Sequence, residues 1–537
     1  MPPSHPRDLL LAPELEPATA TAILSAYGFR DTARADADLQ RIADDPLARR
    51  LLAEVVETLL SAAAESADPD QALSLFERFA RAAVNRAQLL RYLDAQPRVL
   101  ELLARTFGAS PFMAEILIRD PGFLYWIADP SALATARTAA QIRSDLDAVL
   151  APLHSDALRL DALRQLRRRE LLHIGVRDLA RLATVEQTNS ALSTLAEVLI
   201  QAACEICTAG LRSRYLRNPA SADPPNPSGF CVVGLGKLGG GELNFSSDVD
   251  LLYVAATADE RPDLADALAI PLSEFHDRLA RALTAALSDA TNEGHVFRVD
   301  LRLRPEGRSG TLVQTLPVLG QYFATRAVTW ERLAFVKAWP VAGDASIAKQ
   351  FLDQAAAFAY SGGLDDAGLA DVREIKVRID RKMADRGQTL THVKLGFGGI
   401  REIELIAQSL QVAFGGENLA LRQRGTLAAL AALTQAGLLE SDEYALLAAA
   451  YRFLRDVENK LQMVHDTQSH ELPETADGLR LCALRLGYRD DGDRSAGDAL
   501  IADYRSHTGA VNALFRRLFD PAVPSRFGRT ATSRTSN

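Results

Sequence analysis

Cysteine is scarce. The four present, Cys204, Cys207, Cys231 and Cys482, cannot make a disulfide framework in a chain of 537 residues. Cys204 and Cys207 form a C-x-x-C pair, but no second Cys or His pair has zinc-ligand spacing, so two reduced thiols on a helix are expected. Val and Ile are sparse beside Ala and Leu, which favours helix over sheet. A basic excess is also missing. The formal net charge of −9 and pI of about 5.6 argue against a nucleic-acid partner. Long apolar runs are absent: Leu9-Leu10-Leu11-Ala12 is cut off by Pro13, and no segment approaches the roughly 20 apolar residues of a membrane helix. No leader and no membrane contact are expected, and a cytoplasmic location follows.

What remains is the composition of a globular protein, 48% hydrophobic and 24% charged. The length suggests about two to four domains. Residues 1–225 read as successive helices. Asp68-Pro69-Asp70-Gln71 places a capping residue before Pro at the first helical position, and Ala72, Phe76, Phe79 and Ala83 follow at helical spacing. Ser110-Pro111 opens another helix with Met113, Ile116 and Leu117 as its apolar stripe. The proline-rich stretch Asn218 to Gly229 marks a boundary. Between 226 and 345 the pattern changes to short strand-like runs, Phe230 to Val233, Val249 to Val254 and His295 to Arg304, with a helix from about Leu264 to Leu287. Helices return over 346–520, and the polar tail 521–537 is expected to be disordered. The fold class is therefore α+β, mostly helical, with a small mixed sheet domain between two helical domains.

The chemistry is concentrated in residues 234–250, GLGKLGGGELNFSSDVD. Gly234-x-Gly236-x-x-Gly239 matches a dinucleotide fingerprint, but only about eight residues separate Gly239 from the next strand, too few for a Rossmann crossover helix. A Walker loop fails because Leu238 follows Lys237. Asp248 and Asp250 are two apart, so both carboxylates project from one face of a strand that is otherwise apolar. Such a pair is costly unless cations neutralise it, and magnesium prefers hard oxygen ligands shared with phosphates. The glycine-rich turn (Gly236, Gly239) lets backbone N–H groups approach a phosphate, with Lys237, Ser246 and Ser247 as further donors. In Val299 to Arg304 the alternation puts Asp300, Arg302 and Arg304 on one face, a third acid followed by two phosphate-binding arginines.

A glycine-rich turn, Asp-x-Asp and a later Asp together resemble the polymerase β-like nucleotidyltransferases. The longer strings, Gly236 to Asp250, VDLRLRP (Val299 to Pro305), TWERLAFVKA (Thr329 to Ala338), KLGFGGIREIEL (Lys394 to Leu405), YRFLRDVENKLQM (Tyr451 to Met463) and Leu103 to Ile127, are similar to glutamine synthetase adenylyltransferase. The resemblance covers roughly residues 70 to 475. It implies an enzyme of two homologous halves, one attaching AMP to a tyrosine of glutamine synthetase and one removing it with phosphate as ADP. Asn244-Phe245-Ser246-Ser247 before Asp248, and Arg401-Glu402 after the Gly398-Gly399 turn, resemble the removing half. The resemblance further implies two magnesium ions (manganese as the alternative) on Asp248, Asp250 and Asp300, phosphates on Lys237, Arg302 and Arg304, and a cleft position for Arg401, Glu402 and Glu404. It also implies adenine nucleotide, phosphate, glutamine synthetase and a PII-type signalling protein as partners. Trp339 departs from the family, which more often has Arg there.

Some features point elsewhere. Arg401 and Glu404 can make a surface pair at i, i+3. Arg452, Arg455, Asn459 and Gln462 share a helical face expected to be solvated or subunit-facing. His465, Asp466 and His470 lack the further ligands of a metal phosphohydrolase. Adenylylation, and a non-catalytic docking module of the same fold, stand as alternatives to removal. The retention of three acids disfavours the second.

Overall fold

The computed structural model describes residues 5–218, 228–523 and 526–528. Most of the expected linker, residues 219–227, lies outside the described residues, as do 524–525 and 529–537 of the tail. The chain is mostly helical with a small mixed sheet, as its composition implies. It forms two compact units, each assembled from segments distant in sequence. One comprises Met1–Ala136, Arg168–Thr188 and Asp456–Asp503; the other comprises Arg137–Arg167, Asn189–Arg455 and Tyr504–Asn537.

The named secondary-structure elements among the first unit's described residues are all helices. Asp68 caps helix Pro69–Ala82, its carboxylate accepting the Gln71 N–H at 3.1 Å. Gln71 does not return the bond to the cap; its amide donates instead to the Phe107 carbonyl at 2.7 Å, so the helix start is pinned to its neighbour Pro97–Ala109. Ser110 caps Pro111–Arg119, and Phe76, Phe79, Met113 and Leu117 are fully buried, as their spacing predicts.

The second unit holds the sheet: β1 (Phe230–Gly234), β2 (Val249–Ala255), β3 (Val299–Asp300), β4 (Val313–Thr315) and β5 (Trp339–Gly343). The order is β3-β2-β1-β5, with β4 also pairing β2. β1 is antiparallel to both β2 and β5, whereas β3 and β4 run parallel to β2. A parallel βαβ unit needs a long crossover, and only the single turn Gly236–Gly239 lies between β1 and β2. The dinucleotide-binding alternative is thereby excluded. Phe230, Val232, Leu251 and Tyr253 on one face of the sheet and Cys231, Val233, Leu252 and Val254 on the other are all buried, which accounts for the unbroken apolar runs.

Three expectations need correction. The strand foreseen from His295 to Arg304 ends at Asp300, because the Asp300 carboxylate accepts the Arg302 N–H at 2.8 Å and turns the chain. The helix foreseen from Leu264 to Leu287 is two helices, Pro262–Ala267 and Leu272–Ser288, separated by Pro271. One helix, Val185–Tyr215, is after all long and apolar enough to cross a membrane by length and composition; about half of that stretch is buried against protein. Its Ser193 hydroxyl accepts the Leu243 N–H at 3.0 Å and its Gln201 accepts the Gly343 N–H at 2.9 Å, contacts of a core helix carrying the sheet. Cys204, Cys231 and Cys482 are buried and all four cysteines are free; burial pushes the Cys204 and Cys207 thiols up to about 12, which makes them poor nucleophiles.

A buried charge cluster holds the glycine-rich turn. The Lys337 ammonium donates to Glu242 and Glu404 at 2.8 Å each and to the Thr426 hydroxyl at 3.1 Å. Burial alone would push this ammonium down, but Glu242 and Glu404 outweigh it and hold it well above the usual lysine value. Arg455, expected on a solvated face, is 1% exposed and donates to the Glu242 carbonyl. Asn459 and Gln462 of the same helix are likewise fully buried, whereas Arg452 is exposed as expected, so only the later part of that face is interior. Removing one partner of such a cluster strands the others. Lys337→Met is expected to cost about 3–5 kcal/mol. Urea unfolding measures this, and a loss under about 1 kcal/mol would show that the cluster is not a constraint.

Candidate active site

β2 and β3 are in register with Val249 opposite Val299 and Asp250 opposite Asp300. Paired positions on adjacent strands share a face, so the two carboxylates stand side by side at the sheet edge. Asp248 precedes Asp250 by two residues and adds to its electrostatic field. Above them the chain leaves β1 through Leu235, whose N–H donates to the Asp250 carbonyl at 2.9 Å, into the turn Gly236–Gly239. Gly236 has φ +53°, and a Cβ there would lie 2.5 Å from Oδ2 of Asp250. Only glycine can bring backbone that near the carboxylate. Gly239 serves another purpose. A Cβ there would lie 2.0 Å from the Lys337 carbonyl oxygen, so this glycine permits close backbone packing.

The three acids are balanced unequally. Asp248 accepts Nε of Arg298 at 2.8 Å, and the same guanidinium donates to the Ser246 carbonyl and hydroxyl at 2.6 and 2.9 Å. Asp300 accepts both Nε and Nη2 of Arg302. Burial would raise Asp300, but Arg302 outweighs it and the carboxyl sits below its ordinary value. The Asp250 carboxylate has no hydrogen-bond or ion-pair partner among the described residues. Burial, then the neighbouring Asp300, push it up to about 6 against the opposing pull of Lys394 and Lys237. Among the described residues no three His, Cys, Asp or Glu side chains form a ready metal cage as they lie. Two of these acids carry guanidinium partners. The donor set nonetheless fits a hard divalent cation: three carboxylates, one of them uncompensated.

Other singled-out residues fall in various places. Lys237 is buried, donates to Asn244 Oδ1 at 2.8 Å and acts on Asp250 electrostatically. Ser247 is half-buried beside Asp248. Arg304 is committed to the carbonyls of Leu301, Arg308 and Gly310, closing the loop after β3 rather than continuing a strand face. Glu402 is 2% exposed; it accepts the Gly398 N–H, the Asn512 amide and the Lys376 ammonium, so it locks a turn in the interior. Glu404 belongs to the Lys337 cluster, and Arg401 reaches it at 3.4 Å from a half-exposed position. Trp339 opens β5 with the Arg424 guanidinium stacked 4.6 Å from its ring centre, which puts an arginine beside the position where the family more often has one. Two charged residues near the acids were not foreseen. Extending the 300–302–304 alternation one step back would have found Arg298. Lys394 opens the KLGFGGIREIEL string, but nothing in its spacing says that its charge acts on Asp250.

The sheet topology, the one-turn glycine-rich segment and the paired acids define a nucleotidyltransferase-like fold. Residues 100–354 match the family model of glutamate-ammonia ligase adenylyltransferase, and residues 373–519 match that of GlnD PII-uridylyltransferase. Relatives named bifunctional glutamine synthetase adenylyltransferase/adenylyl-removing enzyme include one from Nitrosococcus oceani, 35% identical over 79% of this chain and 42% of its own length. Others come from Rhizobium meliloti (35%, covering 82% and 45%) and Stenotrophomonas maltophilia (38%, covering 79% and 44%). Residues 100–354 are thus similar to the glutamate-ammonia ligase adenylyltransferase family. The chain spans less than half the length of these curated relatives.

The raised Asp250 has a definite pH signature. Its folded value of about 6 exceeds the ordinary 3.8, so between those limits the folded state holds more protons than the unfolded one. This group's contribution therefore weakens stability as pH rises from about 4 to 6, and the penalty stays constant above. Asp250→Asn is expected to leave the metal-free chain as stable as, or more stable than, the parent at pH 8 and to abolish stabilisation by magnesium. Thermal unfolding against pH, with and without the ion, checks both. Equal magnesium stabilisation in the two proteins refutes the assignment.

Proposed function

We propose that this chain is a magnesium-dependent nucleotidyltransferase that removes AMP from an adenylylated tyrosine of glutamine synthetase by phosphorolysis, releasing ADP. The observation that carries this reading is the uncompensated Asp250 carboxylate, in register with Asp300 and pressed under the Gly236 backbone. Such a site is built for a cation and a phosphoryl group, and the relatives' names supply the protein substrate. The removing direction is favoured by Asn244 to Ser247 before Asp248 and by Arg401-Glu402-Ile403-Glu404 after the Gly398-Gly399 turn.

Asp248, Asp250 and Asp300 would hold magnesium, two ions by this reading with manganese as the alternative, and the metal would supply Lewis-acid stabilisation of the transferring phosphoryl oxygens. The chain's own groups do the rest. First-turn amides at Gly236 and Lys237 lack intrahelical acceptors and offer donors to the phosphoryl group. Lys237, Ser247 and Arg302 add positive charge or hydroxyl donors around it, which supplies position and electrostatics rather than covalent chemistry. A phosphate oxygen attacks the α-phosphorus, the bond to the tyrosyl oxygen breaks, and tyrosinate leaves with the electron pair and takes a proton from water. A phenol with a pKa of about 10 leaves without a strong general acid. ATP-dependent attachment is the second reading, because the relatives' names carry both activities. A PII-type protein is a regulatory partner on the strength of the match at residues 373–519.

Adenylylated glutamine synthetase incubated with the chain, phosphate and magnesium is expected to yield ADP. Asp250→Asn and Asp300→Asn should each slow this by about a thousandfold or more with the fold retained. AMP incorporation from ATP into unmodified enzyme, with no ADP in the first assay, would reverse the direction.

A further inference from the structure

The two arginines that meet the acids hold them differently, oxygen by oxygen. Both oxygens of Asp300 accept from Arg302: Oδ1 takes the backbone N–H at 2.8 Å and Nε at 3.0 Å, and Oδ2 takes Nε at 2.8 Å and also Nη2. The Arg302 side chain is 65% exposed, and an ion pair so open to water separates at little cost. Asp248 gives only one oxygen to its arginine. Nε of Arg298 donates to Oδ1 at 2.8 Å, while Oδ2 accepts no hydrogen bond among the described residues.

Arg298 also grips the chain on either side of Asp248. Its Nη2 donates to the Ser246 carbonyl at 2.6 Å and to the Ser246 hydroxyl at 2.9 Å, and Ser246 is 2% exposed. Its own carbonyl accepts the Val249 N–H at 2.9 Å. The root of Arg298 is fixed in turn. The N–H groups of Val296 and Phe297 both donate to the Leu287 carbonyl, at 3.0 and 2.9 Å, and both side chains are buried. A carboxylate turns about a broad, roughly two-fold torsion, so which oxygen it presents is undecided unless a partner takes the other. Here Arg298 takes Oδ1.

We infer that Arg298 is a positioning residue: it reserves Oδ2 of Asp248 for the divalent cation and holds residues 246–249 still while the ion binds. This rests on the magnesium site proposed above. Arg302 has the opposite relation to the ion, because it covers both oxygens of Asp300 and must leave before that carboxylate can serve as a ligand. The two cases differ in sign. A guanidinium that only balances or covers a carboxylate repels an incoming cation, so removing it tightens metal binding. A guanidinium that orients the ligand favours the ion in spite of its own charge, so removing it weakens metal binding. Arg298 stays protonated and keeps its three side-chain bonds throughout.

The test titrates magnesium alone into the full chain at pH 8 by calorimetry, for the parent, Arg298→Gln, Arg298→Lys and Arg302→Gln. Arg298→Gln is expected to weaken magnesium binding about tenfold or more. Arg298→Lys keeps the charge but loses the planar fork that spans Asp248 and Ser246, and should stay well short of parental affinity. Arg302→Gln should bind the ion at least as tightly as the parent. Unfolding temperatures without metal should stay near the parental value in all three. Unchanged or tighter binding in Arg298→Gln overturns the inference, as does full recovery in Arg298→Lys, which would mark a residue that supplies charge alone. An equal loss in Arg302→Gln, or a matching fall in the metal-free stability of Arg298→Gln, marks general damage to the strand edge and overturns it too. A parent chain that binds no magnesium sinks the magnesium reading itself; a parent that binds it beside an unaffected Arg298→Gln sinks only this inference.

Discussion

The ammonium of Lys337, enclosed by Glu242, Glu404 and Thr426, is the constraint on which the site's geometry depends. Each partner comes from a different part of the chain: the end of the glycine-rich turn, helix Ile400–Phe414 and helix Thr426–Gln435. Buried ion pairs add little net stability, because desolvation offsets their attraction, but breaking one is costly. Their effect is to allow one arrangement and penalise the others. With Glu242 held, and its carbonyl capped by Arg455, the turn that begins at Gly236 cannot drift from Asp250.

That turn, in its place, sets the electrostatics of the pocket. Asp248 and Asp300 have guanidinium partners in the resting protein, while Asp250 has none and titrates near pH 6. One unmet negative charge beside a backbone that only glycine permits is a poor way to stabilise a fold, and the proposed cation site rests on it. The same field reaches Lys394 on another segment, which links the acidic strand edge to the helix-start motif that follows it in sequence.

Much of this was legible in the residues alone. The count of residues between Gly239 and Val249 is a length argument; it ruled out a crossover helix, and the antiparallel pairing of β1 and β2 agrees. Proline and capping residues located helix starts at Asp68 and Ser110, because those signals act within one turn of chain. Less legible was the segment after Asp300. Its alternation reads as a strand, but the aspartate carboxylate bonds the backbone two residues on, a local competitor that periodicity does not weigh. Of the polar face read as solvated, Arg452 is exposed, but Arg455, Asn459 and Gln462 misled for the opposite reason. Charged and amide groups read as solvated unless distant partners are known, and the Glu242 carbonyl lies 213 residues away from Arg455.

The amino-acid sequence by itself determined the helix-rich class, the strand-like runs of the sheet, and the Asp-x-Asp unit with its glycine-rich turn, since each is written in spacings of a few residues. Tertiary structure alone decided that Asp250 and Asp300 are in register and that Glu404 and Arg455 serve the interior. Those outcomes are set by contacts between segments fifty to more than two hundred residues apart, where local patterning exerts no force and only packing and charge balance choose among the available partners.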